Sequence, residues 1–122
     1  MIGYVTLGTN DLERAAAFYD AIAKELGGNR FMETDRFIAW GRRGGAPGLF
    51  LIKPFNGKPA TVGNGVMVAL AAKDKAQVDR IHALAMSLGG TDEGAPGQRG
   101  EGFYAAYFRD LDGNKLNAFV ME

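Results

Sequence analysis

Few side chains in this sequence can do chemistry. One histidine, His82, and no cysteine occur among 122 residues. That excludes a thiol nucleophile, a disulfide frame and a thiolate metal site. It also excludes any site that needs two imidazoles from one chain, including the two-His, one-carboxylate iron site. His82 sits beside Ile81 and four after Val78, at the border of an apolar helical face, and reads as a helix-flank or surface histidine. Gly44-Gly45-Ala46-Pro47-Gly48 lacks the Lys-Ser/Thr of a phosphate loop and leads into no helix. Arg42-Arg43 beside it reads as a solvated loop, and Arg109 is expected to pair with an acid of the adjoining Asp110–Asp112 turn. The remaining candidates are polar or aromatic and lie on strand-like segments, where alternate residues share a face. Tyr4 and Thr6 point opposite to Val5 and Leu7, Met67 goes with Ala69, and Asn117 with Phe119. Trp40, Phe50, Tyr104 and Tyr107 offer further walls, but parity alone does not fix which of them share that face.

The elements that must position these residues follow from pattern. Tyr4–Leu7 is rich in β-formers; Asn10-Asp11 offers an N-cap, with Glu13 three after Asn10 as a capping-box partner. Leu12, Ala15, Ala16, Tyr19, Ile22, Ala23 and Leu26 recur at helical spacing, and Gly27-Gly28 stops the run. Arg30–Glu33, Phe37–Trp40 and Leu49–Lys53 read as strands. After a breaker-rich connection over 54–64 the pattern restarts. Val66–Ala71 reads as a strand, Asp74 with Gln77 as a second capping box, and Val78, Ile81, Leu84, Ala85 and Leu88 as an apolar helix face closed by Gly89-Gly90. Thr91–Glu93 is a weak strand signal; Phe103–Phe108 and Leu116–Met121 flank Asp112-Gly113-Asn114 as a hairpin. Order, length and caps recur at an offset of about 63 residues, the mark of a duplicated module.

Lysine plus arginine and aspartate plus glutamate balance at 14 each, without blocks of like charge, so nothing points to a nucleic-acid or membrane surface. The N-terminal stretch carries no basic region and reaches Asn10-Asp11 before a signal core could form. A soluble cytoplasmic protein is the expectation.

"RDLDGNKLNAF", "YVTLGTNDLERAAAFY" and the second-module segment opening "GNGVMVALAAKDKAQVDRI" resemble successive segments of the vicinal oxygen chelate superfamily, which groups glyoxalases, bleomycin-resistance proteins and extradiol dioxygenases. The resemblance spans essentially the whole chain. It implies an α+β fold of tandem βαβββ modules, about 1–56 and about 64–122 within a single domain over 1–122. It further implies two curved mixed sheets facing each other around a cleft, each backed by a helix. Metal-using members commonly take ligands from two His and a Glu. The matching positions here are Tyr4, Met67 and Asn117, and a fourth, used by some members, falls near Phe50 or Leu51. No metal and no cofactor is therefore expected, and the base of glyoxalase-type proton abstraction is gone as well. The cleft residues are expected to be Tyr4, Thr6, Trp40, Phe50, Met67, Tyr107 and Asn117, receiving a small organic molecule in a homodimer. Two alternatives stand beside this: a lyase or dioxygenase of glyoxalase ancestry, and a structural role with the cleft filled by side chains.

Overall fold

Asp11 and Asp74 set where the two helices begin. In the chain's structure, a computed structural model describing residues 1–42, 44–45 and 47–122, the Asp11 carboxylate accepts from the Arg14 N–H at 3.0 Å and opens α1 (Leu12–Glu25). Asp74 accepts from the Gln77 N–H at 2.8 Å and opens α2 (Lys75–Ser87). The Gln77 carboxamide reaches back to the Lys73 N–H at 2.9 Å, one residue before the cap, so the expected box closes a residue upstream. Asn10 caps nothing. Standing one residue too early, it holds the later connection instead, accepting from the Ala60 N–H at 2.6 Å and donating to the Ala60 carbonyl at 3.2 Å. Both helices end in the same double turn: Gly27 N–H reaches Lys24 O and Gly28 N–H reaches Ala23 O, as Gly89 and Gly90 do to Met86 and Ala85. Gly27 and Gly89 stand at φ 81° and 94°, where a side chain is strained.

Two compact units result, Met1–Val62 and Gly63–Glu122. The first runs β1 (Tyr4–Gly8), α1, β2 (Asn29–Glu33), β3 (Phe37–Gly41), β4 (Gly48–Ile52), in sheet order β1-β4-β3-β2. The second runs β5 (Val68–Ala71), α2, β6 (Thr91–Gln98), β7 (Phe103–Arg109), β8 (Lys115–Met121), in order β5-β8-β7-β6. In each, the first strand pairs parallel with the last and the other pairs are antiparallel. This is the expected α+β fold of βαβββ pattern, with two mixed four-stranded sheets each backed by a helix. β6 runs well past the expected Glu93. Gly94, Pro96 and Gly97 read as breakers, yet β6 is an edge strand with two register shifts, where proline and glycine are tolerated. No helix among the described residues is long and apolar enough to cross a membrane. Arg43 and Ala46 lie outside the described residues, and with them the reading of Arg42-Arg43 as a pair.

Each core lies between helix and sheet. In the first unit Ala15, Ala16, Phe18, Tyr19 and Ile22 of α1 are buried over Leu7, Ile38, Trp40 and Leu51. In the second, Val78, Ile81 and Ala85 are buried over Ala106, Phe108, Leu116 and Ala118. Trp40 belongs to this helix side, which corrects its expected place among the cleft residues. Its ring lies 5.7 Å from that of Tyr19, and its indole N–H donates to Asp20 of α1 at 2.8 Å. The physical reason is register: Trp40 pairs with Leu49, which pairs with Val5, so all three share the face under the helix. The Asp20 carboxylate also takes two bonds from Arg30 at 2.8 and 2.7 Å. The Arg30 guanidinium holds it below the usual carboxylate range, with the Trp40 indole adding to the effect.

The turn between β7 and β8 is built around the buried Asp110, whose carboxylate accepts from the N–H groups of Asp112 and Asn114 and from the Asn114 carboxamide, each at 2.9 Å. With that carboxylate so engaged, Arg109 pairs elsewhere than expected: it binds Glu93 across the ladder at 2.5 Å and donates to the Gly113 carbonyl. Arg109 in turn keeps the Glu93 carboxyl below its ordinary value.

Candidate functional site

The face of the first sheet turned away from α1 carries four aromatic rings. Thr6 pairs with Phe50 and Phe50 with Ala39, so this face is the alternate set to Leu7, Ile38 and Leu51. The Phe50 ring sits at the centre, 4.6 Å from Tyr4, 5.7 Å from Phe37 and 6.0 Å from Phe31. Phe31 reaches this face through the irregularity between Arg30 and Met32 in β2. Its ring lies over Gly41 and Gly48, where an added Cβ would meet it at 3.1 and 3.2 Å. Those two glycines are what lets the ring lie down on the sheet. Tyr4 is 62% and Phe31 54% exposed, and Thr6 is exposed beside them. Large rings left in water on one sheet face are an unpartnered apolar surface.

On the second sheet the face away from α2 carries Tyr107 and Asn117, directly paired across β7 and β8, with Ala69 next in the row on β5. Asn117 is 2% exposed, and its Oδ1 has no hydrogen-bond partner among the described residues. Such a group costs about 1–3 kcal/mol when left unpaired. Phe119 follows on the same face and stacks on Phe103 at 5.8 Å. Met67 precedes β5, which starts two residues later than expected, and is 40% exposed. Tyr104 goes the other way: it packs on the α2 side and donates to Asp79 at 2.6 Å.

The expected site residues thus fall into two groups, Tyr4, Thr6 and Phe50 on the first sheet, and Tyr107 and Asn117 on the second, with Met67 just ahead of it. Trp40 joins neither. Sequence reading missed Phe31, Arg99 and Lys115. Only the glycines at 41, 48, 94 and 97, set in strands where they pack poorly, hinted at side chains lying flat on the sheets.

His82 is buried rather than on the surface. Its Nε2 lies 2.9 Å from Asp92 of β6, which packs beside α2. The Gly94 N–H, and then His82, hold Asp92 below the usual carboxylate range. The pair lies on the α2 side of the second sheet. A groove of about 680 Å³ also opens on the helix side of the first unit, between the start of α1 and Arg30, Glu33, Thr34 and Lys53. Arg30 and Glu33 there pair with each other, and none of the chemically promising residues reaches it.

The metal of metal-using relatives does not fit these side chains. The positions matched to its ligands offer a phenol, a thioether and a carboxamide in place of the imidazoles and carboxylate from which zinc, nickel or ferrous sites of this kind are built. Among the described residues no three His, Cys, Asp or Glu side chains gather as a metal-binding group.

Comparison with known proteins matches residues 1–118 to the family model described as the Glyoxalase/Bleomycin resistance protein/Dioxygenase superfamily. Among solved structures, a glyoxalase/bleomycin resistance protein from Albidiferax ferrireducens is 39% identical with TM-score 0.89, over 98% of this chain and 97% of that one. A lactoylglutathione lyase from Agrobacterium tumefaciens is 25% identical with TM-score 0.72, over 98% and 92%. No curated protein matches.

Proposed function

Because the chain belongs to the glyoxalase/bleomycin resistance protein/dioxygenase superfamily, we propose that it is a member that works without its relatives' metal ligands and binds a small, partly aromatic organic molecule. Tyr4, Thr6 and Phe50, on the face of the first sheet turned away from α1, are proposed to meet such a molecule, as separately are Tyr107 and Asn117 on the corresponding face of the second sheet, with Met67 just ahead of it. The observation that carries this is the ring cluster of Tyr4, Phe31, Phe37 and Phe50, half of it in water. Aromatic pairs contribute about 0.5–1.5 kcal/mol beyond their buried area, so each exposed ring has that much to offer a flat ligand. Naphthol, titrated by calorimetry, is expected to bind wild type and to lose severalfold in affinity in Tyr4→Ser and in Phe31→Ser. Equal binding to all three proteins, or none, contradicts the proposal.

The lyase among the similar structures favours a second reading, an enzyme of glyoxalase ancestry. It ranks lower because Asn117 stands where the proton-abstracting carboxylate would be and cannot act as a base.

A second copy of the chain is proposed as the protein partner, in the cytoplasm. Phe55 and Val62 are 94% and 44% exposed, and β1, β2, β5 and β6 are strand edges within their sheets. Light scattering at micromolar concentration is expected to return the mass of two 13.1 kDa chains; the mass of one chain throughout contradicts it.

A further inference from the structure

Tyr107 is bracketed by two cations. The Arg99 guanidinium carbon lies 5.6 Å and the Lys115 ammonium 5.7 Å from its ring centroid. Arg99 is laid across the β6 edge by two glycines: a Cβ at Gly94 or Gly97 would meet its guanidinium nitrogens at 3.2 or 2.8 Å. Those glycines pair with Tyr107 and Ala105, which puts the guanidinium on the face away from α2. Its guanidinium donates to the Ala95 carbonyl. Among the described residues neither Arg99 nor Lys115 has a carboxylate within ion-pair distance. Glu93 is the acid whose field reaches Lys115, and Arg109 already holds it. Directly across from Tyr107 stands Asn117, buried, with its Oδ1 unpartnered. Beside Asn117 on β5, Ala69 is exposed.

Three demands meet on this one face. Two cations with unspent donors call for an anion. A buried acceptor calls for an N–H or O–H. The rings of Tyr107, Phe119 and Phe103 call for a flat apolar body. Resting on the small-molecule reading above, we infer that the ligand is a small aromatic carboxylate that also bears a hydroxyl or amino group. Its carboxylate goes to Arg99 and Lys115, and its donor to Asn117.

Four probes separate the parts of this inference: hydroxynaphthoate, naphthoate, naphthol and naphthylmethylamine, titrated by calorimetry at low salt. Hydroxynaphthoate is expected to bind most tightly, naphthoate and naphthol less so, and the amine least. Arg99→Gln with Lys115→Gln, both surface changes, is expected to weaken both carboxylates by about tenfold, the scale of a charge-assisted hydrogen bond, and leave naphthol within about twofold. Raised salt is expected to weaken the carboxylates, to relieve the amine's repulsion and to leave naphthol unchanged. If naphthol and the amine bind as tightly as the carboxylates, or the double variant treats all four alike, the anion assignment is wrong while the small-molecule reading stands. If none of the four binds, both fall.

Discussion

Asp20→Ala is expected to destabilise the protein by about 2–3 kcal/mol, most of it through a group that Asp20 itself does not own. The ion pair to Arg30 is half in water, with side-chain exposures of 34% and 44%, and such pairs contribute about 0–1 kcal/mol. The larger effect comes from Trp40, 3% exposed, whose indole N–H would lose its acceptor at the edge of the core. An orphaned buried donor costs about 1–3 kcal/mol. Asp20→Asn keeps an acceptor for the indole and is expected to cost less than half as much. Urea unfolding of the two variants checks this; equal losses would mean that the ion pair, and not the indole, carries the energy. The pH dependence has a fixed sign. Asp20 is depressed in the folded state, chiefly by Arg30, so its contribution is present above the unfolded carboxylate value of about 3.9 and is lost as pH falls through the lower folded value. Wild type is therefore expected to lose stability relative to Asp20→Asn on acidification below about pH 4.

Asn117→Leu is expected to act in the opposite direction, stabilising the ligand-free protein by about 1–3 kcal/mol. The substitution removes a buried, unpartnered amide in favour of an apolar group of similar size. For a domain of this size that is an upward shift of several degrees in Tm. The same variant is expected to bind hydroxynaphthoate no better than naphthoate, because the acceptor that distinguishes them is gone. Stability gained together with discrimination lost is the signature of a residue kept for a ligand and not for the fold. Leucine that destabilises would mean the amide is satisfied in solution, and the case for its role in binding would fail.

The difference between those two residues shows what a single sequence exposes. The helices were legible to the residue or nearly so, because Asp11, Asp74, Gln77 and the paired glycines act locally on neighbouring N–H and C=O groups. The duplicated module was legible for the same reason. Trp40 was not, because Ile38, Ala39 and Trp40 are all buried, and a strand covered on both faces shows no alternation to read. Nor were the partners of Arg109 and His82, since Glu93 and Asp92 reach them only through cross-strand and helix–sheet packing. Arg99 lies over Tyr107 because two glycines make space for it, a reason that exists only once β6 is paired to β7. Of the candidate site, Tyr4 and Asn117 were readable from alternation; Phe50 and Tyr107 stood among the aromatic walls that parity alone did not sort, and their neighbours Phe31, Arg99 and Lys115 were not readable at all.

Neither Tyr4 on the first sheet nor Met67 and Asn117 at the second is expected to hold a metal ion. Elemental analysis of protein expressed normally and purified without chelator tests this most directly, followed by calorimetric titration with zinc and nickel. Substoichiometric zinc, nickel and iron, all removed by dialysis, and no saturable heat on titration are the expected results. One equivalent of any of the three that survives dialysis would contradict them.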